Sequence, residues 1–306
     1  MYDPSDPRSA LATATATAAP PRPAAVAAPE YHDFSRLAPD EVSAAGSRSW
    51  IVRAQNVVLV HVRPVAGDAL EPTDLDSEQV VILAHDSSAA RFATAAGEGE
   101  LRGRGVVILP PGRCEITALG DGDLVRLVEA GTPWAERARN AASYAEPHPN
   151  VAPLEPWPEP PAGPALRIYP LADVPDEPGR FGRIFRSRSF MVNFLDHNDG
   201  PRDRTKLSPH HHDDFEQISL AVEGEFTHHI RTPWGTDATQ WRDDDHVTVG
   251  SPSVTIIPPP TIHTTEAVGS GRNQLIDIFS GPRTDFSARP GWVLNASEYP
   301  APDARS

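Results

Sequence analysis

The sequence predicts an all-β protein built from two related halves. Three observations carry this reading. Short runs rich in β-branched residues recur along the chain. The 306 residues include 34 prolines and 21 glycines, which cut the chain into short elements and turns. The pattern of the first half also returns in the second, and a repeat this long means a duplicated domain rather than a solenoid.

The strand-like runs come in order. Residues 50–52, 56–62, 78–83, 105–112 (ended by a turn) and 124–128 fill the first half, and residues 166–169, 190–195, 218–222, 254–257 and 274–279 fill the second. Closely spaced strands with Gly, Pro and Asp turns suggest a sandwich or small barrel. Residues 134–144 have helix-forming composition, and a proline-rich stretch with Pro156, Pro158, Pro160 and Pro161 follows as an extended linker. The repeat places Gln79 against Gln217, 138 positions apart, and Pro110 against Pro258, 148 positions apart. The longer second offset implies a loop insertion around residues 232–236. The predicted divisions are an Ala/Pro-rich tail over 1–28, an N-terminal half over 29–132, a helix and linker over 133–165, and a C-terminal half over 166–306.

Charge narrows the function. With 42 acidic against 27 basic residues the net charge is -15, which repels phosphate backbones and argues against nucleic-acid binding. No stretch is long and apolar enough to predict a membrane span. The N-terminus does not read as a signal peptide, since Asp3 and Asp6 precede its one early basic residue, Arg8. Cys114 is the only cysteine, so no intrachain disulfide can form. That agrees with a reducing compartment, and a cytoplasmic location is expected. Cys114 itself reads as buried rather than nucleophilic.

The informative segment is Pro209-His210-His211-His212-Asp213-Asp214-Phe215-Glu216-Gln217, followed by Gly224; its partner is Pro258-Pro259-Pro260-Thr261-Ile262-His263. In a strand, side chains two apart point the same way, so His210 and His212 can aim at one point while His211 faces away. Neutral imidazoles are good ligands for Fe, Zn, Ni, Cu or Mn, and three of them leave open positions of the kind metal catalysis needs. A surface histidine cluster is the plainer alternative for the triplet taken alone.

These residues resemble the two cupin motifs, HxH followed by Glu and Gly, and PxGxxH. The resemblance covers roughly residues 48–285 and identifies the chain as a bicupin: two double-stranded β-helix (jelly-roll) domains joined by a short helix and Pro-rich linker, with the metal site in the C-terminal one. It implies one divalent metal on His210, His212, His263 and a fourth ligand. Leaving six residues before Gly224 puts Gln217 at the usual glutamate position. Strand parity from His212 would instead favour Glu216, and the spacing permits both; the distance to Gly224 favours Gln217. Pro260 replaces the second motif's glycine and puts no ligand in doubt. In the N-terminal half Pro72, Asp74 and Glu115 replace the three histidines. A degenerate barrel is the expectation there, with an oxygen-rich site of Asp74, Gln79 and Glu115 as the alternative.

Around the metal, Glu216, His228 and His229 are candidates for proton transfer, and alternation lets only one of the two histidines face inward. Lys206 and Arg231 are candidates for binding an anionic small-molecule substrate. Arg180, Arg183, Arg186 and Arg188 read mostly as solvated surface. Three-histidine cupins often carry out dioxygen chemistry, so the resemblance favours a non-haem Fe(II) dioxygenase, with Mn, Zn or Ni as other metals. The alternatives are a metal-dependent isomerase, lyase or decarboxylase that uses the metal as Lewis acid, and a non-catalytic binding cupin. Cupin barrels often dimerise through sheet edges, so a homodimer is compatible with this reading.

Overall fold

A computed structural model describes residues 25–175, 177, 179–235 and 237–302. Most of the predicted tail lies outside them. The described chain is almost entirely antiparallel β-structure in four sheets. All ten apolar runs form strands, and all ten lie in the two seven-stranded sheets. The reason is burial on both faces. Gln79–Leu83, Gly105–Leu109 and Ser253–Ile257 are buried at every residue, so they read as continuous hydrophobic runs.

The first large sheet runs in the order Arg167–Pro170, Gly105–Leu109, Gln79–Leu83, Leu124–Glu129, Val57–Arg63, Arg48–Arg53, Glu41–Val42. The second runs Glu30–Asp33, Ser253–Ile257, Gln217–Glu223, Arg272–Phe279, Met191–Phe194, Arg183–Arg186, with Asn198–Asp199 also pairing to Arg272–Phe279. One face of each packs against the other, Leu59, Ile82 and Leu127 meeting Ile218, Leu220 and Ile276 in one continuous core. The opposite face of each is closed by a smaller sheet. Thr73–Leu75, Gly112–Ala118, Ala89–Thr94 and Gly97–Arg102 close the N-terminal barrel, and Asp245–Val249, Phe226–Arg231 and Ile262–Ala267 close the C-terminal one.

Two edge strands cross over. Glu30–Asp33 pairs with Ser253–Ile257 of the C-terminal barrel, and Arg167–Pro170 pairs with Gly105–Leu109 of the N-terminal one. The sheets therefore do not follow the predicted divisions at 29–132 and 166–306. Each exchanged strand covers an edge that would otherwise be open. The predicted helix over 134–144 is two short turns, Trp134–Arg137 and a 3-10 turn at Ala141–Tyr144. Ala138 between them is extended, because the Arg139 N–H donates to Ile51 O at 2.9 Å and Asn140 Oδ1 accepts from Arg53 N at 2.9 Å. Sheet-edge hydrogen bonds override helix propensity here. Arg186, read as surface, is buried against Trp157, and its guanidinium donates to the Tyr299 carbonyl. Among the described residues no helix is long and apolar enough to cross a membrane.

Candidate metal centre

His210 sits just beyond the closing sheet and pairs with His263 as an isolated bridge. The His210 N–H donates to His263 O at 3.0 Å, and the His263 N–H donates to His210 O at 2.7 Å. This backbone exchange places the two rings side by side, with centroids 4.4 Å apart. His212, two residues on, brings its ring 5.1 Å from both. One ligand nitrogen from each of the three lies within 4.8 Å of the others. His211 faces out beside Asp213, as strand parity expects.

Tautomers are set by the backbone. His210 Nδ1 donates to Ser208 O at 2.9 Å, and His263 Nδ1 donates to Thr261 O at 3.1 Å. Each Nε2 is thereby left with its lone pair facing inward, as carbonyl-oriented metal-ligating histidines require. His212 is held neutral well below the ordinary imidazole range, first by burial and then by the positive charge of Arg283. Phe215 stacks on the His212 ring at 4.5 Å, and Phe279 meets it edge-on at 6.0 Å. Arg283 lies in turn over Phe215, Phe279 and Phe286.

Gln217 Oε1 lies 2.9 Å from His212 Nε2 and 3.4 Å from His263 Nε2. Its amide is oriented from behind: Nε2 donates to Ser219 Oγ at 3.0 Å and to Asp277 Oδ1 at 3.1 Å, while Ser219 Oγ donates to the same Asp277 oxygen at 3.0 Å. Three inward imidazole nitrogens and an amide oxygen are a donor set that fits a divalent transition metal. Gly224 closes the motif because its turn needs φ +90°, and a Cβ there would stand 2.3 Å from Asn273 Oδ1.

Other expected site residues are elsewhere. Glu216 is buried on the opposite side of the strand. It accepts from Gln55 N at 2.6 Å and Tyr144 OH at 3.0 Å, and His148 Nδ1 lies 3.2 Å away. It ties the C-terminal barrel to the linker and does not face the histidines, so it is neither a fourth ligand nor a base in this geometry. His228 faces inward and is buried, with Nδ1 3.1 Å from Thr265 Oγ1 and Nε2 lacking a hydrogen-bond partner among the described residues. Burial, then His263, brings its pKa down to about 3. His229 is on the outer face, between His246 Nδ1 at 2.7 Å and Glu266 at 3.0 Å. Arg231 also points outward, paired with Asp244, because it continues the outer alternation of Phe226–Arg231. Lys206 is exposed; its main-chain carbonyl accepts from Arg202 at 2.9 Å and its N–H donates to Asp203 O at 3.0 Å.

The cavity behind the triad, about 70 Å3, is lined by His210, His263, Gln217, Asp277, Arg202 and Phe226 among others. Asp277, Ser219 and Arg202 were not singled out from the sequence. A signal for Asp277 existed, since it is the lone charge in Leu275-Ile276-Asp277-Ile278-Phe279. Arg202 is brought in by a loop that no local pattern marks. In the N-terminal barrel the corresponding inner positions are Thr73, Gln79 and Cys114. Thr73 pairs with Cys114 and donates to Gln79 Oε1 at 2.9 Å. Asp74 and Glu115 face solvent, so the oxygen-rich alternative is not formed. The turn after Pro110 is one residue shorter than the turn after Pro258, which shifts the register so that Cys114 faces inward.

No protein-family model matches the chain, and no curated protein does. Solved structures do match. The Lactobacillus farciminis oxalate decarboxylase in its formate complex superposes with a TM-score of 0.57 at 14% identity, covering 87% of this chain and 90% of that one. Oxalate decarboxylase from Bacillus subtilis at pH 4.6 gives 0.55 at 14% identity, over 90% and 84%. The Trp-to-Tyr variant of the same protein gives 0.54 at 15%, over 90% and 85%. Similarity at this identity speaks for fold, and the fold is a double cupin of paired jelly-roll barrels. None of these neighbours is an iron protein or a dioxygenase by description, so the comparisons lend those expectations no support.

Proposed function

We propose that the C-terminal barrel is the active site of a metal-dependent lyase that acts on a small carboxylic acid in the manner of a decarboxylase. The observation that carries this reading is the buried Asp277 carboxylate in the cavity wall, 3.1 Å from the Gln217 amide nitrogen. Decarboxylation leaves a carbanion that must be protonated, so a carboxyl group beside the metal donors suits it as proton carrier. The decarboxylase activity of the structural neighbours agrees in kind.

A divalent metal held by His210, His212, His263 and Gln217 Oε1 would supply the Lewis acidity that polarises a bound carboxylate. Manganese or zinc would serve such chemistry as well as iron. The chain supplies the rest. Arg202 donates to Thr265 O and Ser208 Oγ, which fixes its positive charge at the cavity wall for a substrate carboxylate. The cavity is small, so the substrate has few heavy atoms. When the bond to the departing carboxyl breaks, its electron pair stays on the neighbouring carbon and carbon dioxide leaves. Asp277 carries a proton to that carbon and recovers one from water, with Ser219 holding its Oδ1 in place.

The test is carbon dioxide release under anaerobic conditions from a panel of short mono- and dicarboxylic acids, using manganese-loaded protein. Release without dioxygen is expected, with a loss of about 100-fold or more in Asp277→Asn at unchanged metal content. Turnover that consumes dioxygen would return the Fe(II) dioxygenase reading. Retained metal with no turnover on any acid would leave a binding cupin.

A further inference from the structure

The inner faces of the two barrels can be matched one strand beyond the glutamines. In the C-terminal barrel Ser219, two residues after Gln217, pairs with Asp277. In the N-terminal barrel Val81, two residues after Gln79, pairs with Arg126. Arg126 therefore holds the place that Asp277 holds next door, with the charge reversed.

Arg126 is 4% exposed. Its NH1 donates to Glu71 O at 3.0 Å, and its guanidinium lies 5.6 Å from the Trp134 ring. NH2 is enclosed and has no hydrogen-bond partner among the described residues. A buried donor on a charged group that makes no hydrogen bond is costly, and a ligand that supplies an acceptor recovers the loss. The residue lines a cavity of about 220 Å3 whose walls include Val60, Val62, Leu70 and Trp134, with Ser49 polar among them. Burial lowers the Arg126 pKa to about 10, which leaves it a cation at neutral pH.

We propose that the N-terminal barrel is a metal-free binding site for a small monocarboxylic acid, its carboxylate on Arg126 and its apolar body against Val60, Val62, Leu70 and Trp134. A planar carboxylate matches the guanidinium fork. The surroundings select one negative charge. Glu41 and Glu71 stand at the mouth, and Arg137 binds both, at 2.7 Å each. Glu41 and Glu71 offset the charge of Arg137 and Arg126, so the cavity disfavours a doubly charged phosphate, whereas a single carboxylate needs only the open Arg126 NH2. A second carboxylate on the ligand would meet Glu41 or Glu71. The site shares no residue with the C-terminal cavity and does not rest on the lyase reading.

Calorimetric titration of the full chain, freed of metal by chelation, tests this with acetate, butyrate and benzoate against phosphate and oxalate. Butyrate or benzoate should bind at one site per chain, at least tenfold tighter than phosphate or oxalate. Arg126→Met should weaken that binding at least tenfold, while subsequent metal loading of the C-terminal site is unchanged. Val42→Trp narrows the mouth at a residue that is 61% exposed, so it leaves the core intact and carries the test if Arg126→Met does not fold. No heat from any monocarboxylate would mean a cavity for water only and would overturn the proposal. So would unchanged binding in a folded Arg126→Met and in Val42→Trp, or a preference for phosphate or oxalate.

Discussion

The two barrels share a strand plan and differ in what fills them. In the N-terminal barrel most of the inner face is apolar: Val58, Val60, Val81, Leu83 and Phe92 belong to one cluster, with Thr73, Gln79 and Arg126 as buried polar exceptions. In the C-terminal barrel the inner face carries Gln217, Ser219 and Asp277, and its hydrophobic residues fall into two small separate groups. Polar groups in a barrel interior give up packing, and the loss must be offset elsewhere. It is offset by the core between the two large sheets, to which both halves contribute. Each barrel can then keep a cavity because the face they share supplies much of the packing.

The comparison can be tested by perturbing each barrel. Phe92 is wholly buried in the N-terminal interior, and Phe92→Ala should cost about 3–5 kcal/mol in urea denaturation. A loss below about 1 kcal/mol would mean that this interior is not the packed one. In the C-terminal barrel the polar filling should show as pH sensitivity. His228 titrates at about 3 when folded and near the ordinary imidazole value of about 6.5 when unfolded. Its contribution to stability is full above the unfolded value and lost as pH falls toward the folded one, at about 1.4 kcal/mol per pH unit. Urea midpoints of chelated protein between pH 7 and pH 4 should follow that slope, and His228→Gln should flatten it; an equal slope in the variant would contradict the assignment.

Smaller effects mark the seam between the barrels. Glu216→Gln weakens acceptance from Gln55 N and Tyr144 OH and should cost about 1–3 kcal/mol. Metal content should be unchanged, whereas a drop in metal would put Glu216 back at the site. Least of all, Ser219→Ala should change stability by less than about 1 kcal/mol, because Asp277 still accepts from the Gln217 amide. A larger loss would show that the hydroxyl is essential to the polar cluster.

How much was legible in the sequence follows from burial. Strands of the two large sheets are covered on both faces, so their apolar runs stand out. Strands of the smaller sheets, such as Phe226–Arg231 and Ile262–Ala267, carry Thr, His and Glu among their apolar residues, so they show no continuous hydrophobic run. Strand parity together with the resemblance to the two cupin motifs brought His210, His212, His263 and Gln217 to attention. Glu216 faces away because the chain turns at Asp213-Asp214 between His212 and Gln217, Lys206 lies on an exposed turn, and regular alternation puts Arg231 and His229 on the outer face, as expected for one of the two histidines. The crossing of Glu30–Asp33 and Arg167–Pro170 between barrels is a tertiary choice that no local pattern encodes.

The central claim is that one barrel holds metal and its twin does not. It is tested most directly by elemental analysis of the full chain after loading and gel filtration, with wild type, His212→Ala and Gln79→Leu side by side. The account predicts one equivalent of divalent transition metal in wild type and in Gln79→Leu, and none in His212→Ala. Metal retained by His212→Ala, or lost from a folded Gln79→Leu, would contradict it.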